Sequence, residues 1–337
     1  MQTENLTTPD SKAVSEIINF SRDCGAKKIA LVAGNDAFLK ALTYDDIGTD
    51  DFTSFLMANP YQEPTLDNLF GKAVLSQQQG IESDLDTLII VDQENFPGIA
   101  RQIGSFARKG CLCLPLCGDF VVDPALNSMD RLEKAWKTQS FVNYIARCGL
   151  KGHYLEFGTF WGHSFFNNFL LSSEWLEGKF FAFDSFCGLS KPESKEVEFT
   201  AGDFTEGAYA WNEHSFRALA RLLSLPDNRL EIVPGFYDQT LQSVAPETYG
   251  LDPGSVSICY IDCDLLEPTL QVLNFVSDLL EEGALVYFDD WRLCRASPEV
   301  GERAAALHWL AKNPSFELIE FDRQSWQHQW FIFQKRS

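Results

Sequence analysis

Short apolar runs alternate with stretches of helical period along almost the whole chain, which is the pattern of α/β architecture. In a first series, Lys28 to Ala33, Thr87 to Val91 and Cys111 to Leu116 read as strands, and Ser11 to Cys24, Thr65 to Gln79 and Phe96 to Lys109 as helices. They predict a small three-stranded Rossmann-like unit. Cys117 to Asn127 reads as a linker, because Gly118, Pro124 and two Asp interrupt the pattern, and Arg131 to Cys148 predicts a helix. A second series follows. Its strands are expected at His153 to Phe157, Phe180 to Asp184, Leu230 to Val233, Val256 to Ile261 and Ala284 to Phe288. The intervening helices are expected at Ser164 to Leu176, Trp211 to Leu223, Gln239 to Ala245 and Pro268 to Glu282. A helix at Glu299 to Ala311 then leads into Phe316 to Phe321 and Gln329 to Phe333, close enough to form a hairpin that gives the sheet an antiparallel edge. The expected domains are 1–127, a small α/β unit of open role, and 128–337.

The strand ends carry the chemistry. Tyr260-Ile261-Asp262-Cys263-Asp264 is followed, 27 residues after Asp262, by Asp289 and Asp290 at the end of the next apolar run. Parallel neighbours joined by a crossover helix bring such residues to one sheet edge, outside the carboxyl ends of the strands, where ligands of open α/β sheets bind. Acids gathered there repel one another unless a proton or cation lies between them. A hard divalent ion such as Mg²⁺ suits that donor set, so Asp262, Asp289 and Asp290 are candidate metal ligands; helix capping is the competing reading for each acid alone.

Composition narrows the options. Among 337 residues, 45% are hydrophobic, with 28 Phe and 8 Trp, enough for a large core. A net charge of -21 excludes a general nucleic-acid or anionic-membrane surface, which would need a cationic footprint. No run approaches the roughly 20 apolar residues of a membrane span, and Met1 to Asp10 lacks the features of a secretion signal. The expected setting is cytoplasmic. Cys111, Cys113 and Cys117 lie in an apolar run without a nearby His, and read as buried strand cysteines rather than zinc ligands.

Upstream stands Glu156-Phe157-Gly158-Thr159-Phe160-Trp161-Gly162-His163-Ser164, a strand-end acid and two glycines entering a helix. Such a turn lets backbone N–H groups approach a ligand, and the helix N-terminus favours an anion. Asp184 ends the next strand, 28 residues after Glu156, where a carboxylate can accept both hydroxyls of an adenosine ribose or simply close a turn with Ser185. Ala33-Gly34-Asn35-Asp36 in the first series has a single glycine and falls short of a dinucleotide fingerprint.

With these pieces, the motifs Phe183-Asp184-Ser185-Phe186-Cys187-Gly188-Leu189, Val233-Pro234-Gly235-Phe236-Tyr237-Asp238 and Phe288-Asp289-Asp290 complete a pattern. From about Gly152 onward the chain resembles the macrocin O-methyltransferase (TylF/MycF-like) family, class I enzymes dependent on S-adenosylmethionine (SAM). The resemblance implies that Glu156, Gly158 and Gly162 hold the methionine end of SAM and Asp184 the ribose, that Gly235 and Phe236 sit near the adenine, and that Thr159, Ser164 and Ser185 also belong to the cofactor site. It also implies Mg²⁺ at Asp262, Asp289 and Asp290, and a sugar or natural-product hydroxyl as acceptor. His163 and Cys187 depart from the family pattern, as does Leu266, and the first 150 residues have no part in it.

For the proton, Asp264 and His328 are the candidate bases, each with a structural reading beside it: a helix cap for Asp264, a satisfied core histidine for His328. The long segment Cys187 to Tyr209 is placed to act as a lid, and Trp291 and Trp211 are candidate walls of the acceptor site. The expected partners are a small-molecule hydroxyl acceptor and further copies of the chain in a homo-oligomer. Two other readings stay open: a metal-dependent glycosyltransferase using Asp262-Cys263-Asp264 as a D-x-D motif, and a non-catalytic scaffold on a SAM-binding fold.

Overall fold

A computed structural model describes residues 11–34, 36–47, 49, 51–59, 64–91, 96–116, 140–322 and 326–336. Met1 to Asp10, Asn35, the linker expected at Cys117 to Asn127 and the first part of the helix expected from Arg131 lie outside the described residues. The chain divides into two compact units, Met1–Val121 with Tyr209–Ser224, and Val122–Ala208 with Leu225–Ser337.

The first unit contains α1 (Ser11–Asp23), β1 (Ile29–Ala33), α2 (Asp36–Ala41), α3 (Tyr44–Ile47), β2 (Ser54–Met57), β3 (Asn68–Leu69) and β4 (Lys72–Leu75). It continues with α4 (Gln77–Glu82), β5 (Thr87–Ile90), α5 (Phe96–Gln102), α6 (Gly104–Arg108) and β6 (Leu112–Pro115). The sheet order is β3-β4-β2-β1-β5-β6, parallel except for β3. Six strands stand where three were expected. The helix predicted over Thr65 to Gln79 is instead the β3–β4 hairpin running into α4, because Phe70 and Gly71 both take left-handed backbone and turn the chain back on itself.

Among the described residues, the second unit begins with a helix through 140–148 (α7), then β7 (His153–Phe157), α8 (His163–Ser172), β8 (Phe180–Asp184) and α9 (Ser194–Phe199). Next in chain order is α10 (Glu213–Leu222), followed by β9 (Leu230–Pro234), α11 (Tyr237–Thr240), β10 (Val256–Ile261), α12 (Leu266–Val276) and β11 (Leu280–Phe288). The unit closes with α13 (Gly301–Lys312), β12 (Phe316–Asp322) and β13 (Gln329–Lys335). Its sheet order is β12-β13-β11-β10-β7-β8-β9, with β13 antiparallel to both β11 and β12 and the other pairs parallel, so the expected hairpin edge is present. Both faces are covered, and β7, β8 and β10 are accordingly apolar almost without alternation.

The helix expected at Trp211 to Leu223 belongs to the first unit, not the second. The reason is β6, an edge strand with backbone groups to satisfy. The Cys113 N–H donates to Ser215 Oγ at 2.8 Å, and Asn212 Nδ2 donates to the carbonyls of Cys111 and Ala107 at 2.6 and 3.1 Å while its Oδ1 caps α10 through the Ser215 N–H. Ala218 and Leu222 complete the apolar core beneath. Trp211, a candidate wall of the acceptor site, is 1% exposed and lies in the first unit.

Candidate active site

Register brings the strand ends together. Ile261 pairs with Phe157 on one side and Phe288 on the other, which places Gly158, Asp262 and Asp289 side by side just beyond the ladder. Backbone bonds continue for one step, from Asp262 N to Phe157 O at 2.9 Å and from Asp289 N to Ile261 O at 3.0 Å. Gly158, at φ 87°, is required by this approach: a Cβ there would lie 1.8 Å from the Asp262 carbonyl oxygen. The glycine therefore serves first to let two strand ends meet.

The turn after it is held by Asp184. One carboxylate oxygen accepts the N–H groups of Thr159 and Phe160 at 2.7 and 2.9 Å, with the Thr159 hydroxyl at 3.4 Å, and the other accepts the Phe186 N–H at 2.6 Å. Turn amides that the sequence reading offered to a ligand are thus committed to Asp184. These donors take most of the roughly four lone-pair directions of a carboxylate. Burial pushes its pKa up, against the pull of those backbone N–H groups. Ser185 Oγ donates to the Gly188 carbonyl and accepts from Cys187 N, closing the next turn. Gly162 caps α8 at φ 93°, and His163 begins that helix with its ring 5.0 Å from Trp161. Gly235, at φ 135°, is joined to β8 by a bond from its N–H to the Asp184 carbonyl at 2.9 Å, and Phe236 beside it is 37% exposed. That ring is an exposed apolar surface just beyond the end of β9.

Glu156 is completely buried. Ser164 Oγ donates to one of its oxygens at 2.6 Å and the Tyr154 hydroxyl donates to the other, while Asn168 Nδ2 donates to Tyr154. Burial raises its pKa to about 8, with Asp289 and Asp184 adding to the effect against the two hydroxyl bonds. In register with Glu156 across the sheet stand Tyr260, Tyr287 and Trp330, a polar-aromatic row in which Tyr260 and Tyr287 stack at 4.1 Å. Tyr287 donates its hydroxyl to Asp289 Oδ1 at 2.6 Å.

Asp262, Asp264, Asp289, Asp290 and Glu302 converge at this edge. Burial raises the pKa of Asp262 well above the usual carboxylate range, and its strongest electrostatic neighbours, Asp289, Asp290, Glu302 and Glu156, all act in the same direction. Asp264 takes left-handed backbone at φ 66°, a conformation Asp tolerates, and burial raises its pKa well above the usual carboxylate range, with the neighbouring Asp290 carboxyl acting in the same direction. Each such carboxyl disfavours the charge of the other. Asp264 does not cap α12, whose N-cap is Leu265 without a side-chain bond; the Leu266 N–H goes to Glu196 Oε1 at 2.7 Å. His328 lies beside this edge, its ring 5.3 Å from Tyr287 and its carbonyl accepting from Arg292. Trp291 packs on Phe288 and Phe331, as a core ring does.

Four further residues belong to the edge. Glu302 is fully buried and accepts the N–H of Asp264 at 3.3 Å and of Asp290 at 2.8 Å. Gln327 donates its amide to Asp290 Oδ1 at 2.7 Å and to Asp289 Oδ2 at 3.4 Å. Tyr154 and Tyr287 were legible, since each lies two residues before an acid and so on the same strand face. Glu302 and Gln327 carry no local signal. The acids have the chemistry of a hard-cation site, yet among the described residues no three His, Cys, Asp or Glu side chains stand in a ready metal-holding arrangement.

A mostly parallel sheet with a strand-end acid, a glycine turn and an antiparallel edge defines the class I methyltransferase fold. The family model for macrocin O-methyltransferase (TylF) matches residues 126–311, and the chain belongs to that family. It is a SAM-dependent O-methyltransferase. Among solved structures, the calicheamicin methyltransferase CalS11 is 19% identical over 62% of this chain and 82% of its own, with a TM-score of 0.50. The O-methyltransferase NovP is 18% identical over 61% of this chain and 81% of its own, with a TM-score of 0.48. No curated protein matches. Family membership places Asp262-Cys263-Asp264 in a methyltransferase loop, and the glycosyltransferase and scaffold readings have no observation in their favour. No described helix is long and apolar enough to cross a membrane.

Proposed function

We propose that this chain methylates a hydroxyl of a sugar or glycosylated natural product, and that Asp262, Asp289 and Asp290 hold a Mg²⁺ ion beside the acceptor. When bound, SAM supplies an electrophilic methyl group and the ion a Lewis acid that lowers the acceptor's pKa and helps orient it. The rest falls to the protein. Gly158 to Ser164, with Asp184, shape the cofactor turn, and Phe236 offers an apolar face to the adenine. Rate comes largely from alignment, since in-line transfer to oxygen needs the reacting atoms held close together. Asp264 accepts the hydroxyl proton. The observation that supports this reading is the convergence of Asp262, Asp264, Asp289 and Asp290 at one sheet edge of a TylF-family fold, where a cation among them would offset their mutual repulsion and leave Asp264 ionised to take the proton. His328 is the second candidate, one residue from Gln327.

The acceptor class is supported by the family description, macrocin O-methyltransferase, and by the fold's likeness to the calicheamicin methyltransferase CalS11. The enzyme is expected in the cytoplasm as a homo-oligomer, which light scattering coupled to size exclusion would read. The functional test is release of S-adenosylhomocysteine from SAM with a panel of nucleotide sugars and glycosides, with Mg²⁺ or with EDTA. Turnover that survives EDTA sinks the metal reading, and turnover with none of the sugar acceptors sinks the acceptor class. Asp289→Ala is expected to reduce turnover at least ~100-fold while S-adenosylhomocysteine affinity, by titration calorimetry, changes less than about threefold.

A further inference from the structure

The sheet ladder fixes Asp262 and Asp289, which follow directly on the paired residues Ile261 and Phe288. It does not fix Asp264 or Asp290. Both lie beyond the last pairing, on separate loops 26 residues apart in sequence. What joins those loops is one carboxylate: Glu302 Oε1 accepts the Asp264 N–H and Oε2 the Asp290 N–H. We propose that Glu302 is a positioning residue that sets the separation of the two acid-bearing loops, and through it the geometry of the acid edge. The inference rests on the acid-site reading above.

Glu302 is itself held. It is the second residue of α13, and Gly301 before it takes φ 75° with its N–H given to Glu196 Oε1 at 3.3 Å. Glu196 is buried and also accepts the Leu266 N–H at 2.7 Å, so the start of α13 is referenced to the start of α12, two residues beyond Asp264. A buried carboxylate is an expensive group to place among four other acids, where each disfavours the charge of the rest. The choice has a counterpart in function: two equivalent acceptors on one rigid plane hold both loops at one spacing, which an amide, with one acceptor and one donor end, cannot do.

The test compares wild type with Glu302→Gln and Glu302→Asp. Glu302→Gln turns an N–H₂ towards one of the two backbone N–H groups and releases that loop; Glu302→Asp keeps both acceptors but is one methylene shorter. Mn²⁺ serves as the probe ion, read by electron paramagnetic resonance, and S-adenosylhomocysteine as the probe of the cofactor half, read by calorimetry. Hydrogen exchange is followed in peptides covering 262–266 and 288–292. For Glu302→Gln, the expected result is Mn²⁺ affinity weakened about tenfold or more and amide exchange in one or both peptides at least about tenfold faster. S-adenosylhomocysteine affinity should stay within about twofold and the melting temperature within a few degrees, with Glu302→Asp intermediate. Unchanged Mn²⁺ affinity and exchange overturn the proposal. So does equal loss of cofactor binding and stability, since that marks a general structural residue. A wild type that binds no Mn²⁺ removes the metal reading instead, and exchange in the two loops then decides the proposal alone.

Discussion

Gly158 has no room for a side chain. With the Asp262 carbonyl 1.8 Å from the position of a Cβ and a φ of 87°, Gly158→Ala must move either the β7 turn or the β10 end. The expected cost is about 3 kcal/mol or more, read by denaturant unfolding, with weaker S-adenosylhomocysteine binding in whatever folds. Glu156 makes a different prediction. Its folded-state pKa is raised to about 8 from the ordinary carboxyl value of 4.5, chiefly by burial, so between those values the native state holds a proton that the unfolded chain has released. Stability from this group is fully present below the unfolded pKa and is lost as pH rises through the folded one, at a slope of up to about 1.4 kcal/mol per pH unit. Glu156→Gln, still able to meet Ser164 and Tyr154, is expected to flatten that slope, so that its melting temperature overtakes wild type as pH rises from 5 to 8. A gap constant with pH would argue against the buried neutral acid.

Elements are placed by residues far from them in sequence. The segment Cys187 to Tyr209 was expected as a lid loop, but it contains α9, and α9 is tied down. Glu196 accepts the N–H groups of Glu193, Leu266 and Gly301; Arg295 lies 4.3 Å above the Phe199 ring; and Lys195 pairs with Glu299. The exposed ion pair adds little. The buried carboxylate is the stronger fixture, because its removal strands three backbone donors. Glu196→Ala is expected to cost about 2–4 kcal/mol and to raise hydrogen exchange in α9 and at the start of α12 before the rest of the unit. Uniform exchange would mean that α9 is held by its other contacts. The same logic separates legible from illegible elements. Helices α1, α8 and α13 and the five parallel strands of the second unit fall close to their periodic segments, whereas α12 ends at Val276, short of the expected Glu282, and β11 already begins at Leu280. The β3–β4 hairpin was hidden because its strands are short and one of them is an edge, with few apolar positions to reveal a period of two.

At the scale of the whole molecule, two compact units predict two calorimetric transitions. The motifs that match the family pattern lie in the second unit, so S-adenosylhomocysteine at about 100 times its dissociation constant is expected to stabilise one transition by about 2.7 kcal/mol and leave the other in place. Movement of both would show that the units unfold together. The sequence by itself determined the α/β class, the order of the parallel strands' functional ends, the family and the acids Glu156, Asp184, Asp262, Asp264, Asp289 and Asp290, because strand-end chemistry and hydrophobic period are local and survive in a linear pattern. Only the tertiary structure decided that α10 covers β6, that Asp184 spends its carboxylate on the glycine turn, and that Glu302, Glu196 and Gln327 brace the acid edge. Those contacts join loops many residues apart, and a polar side chain bears no local mark of which distant amide it will meet once the chain is packed.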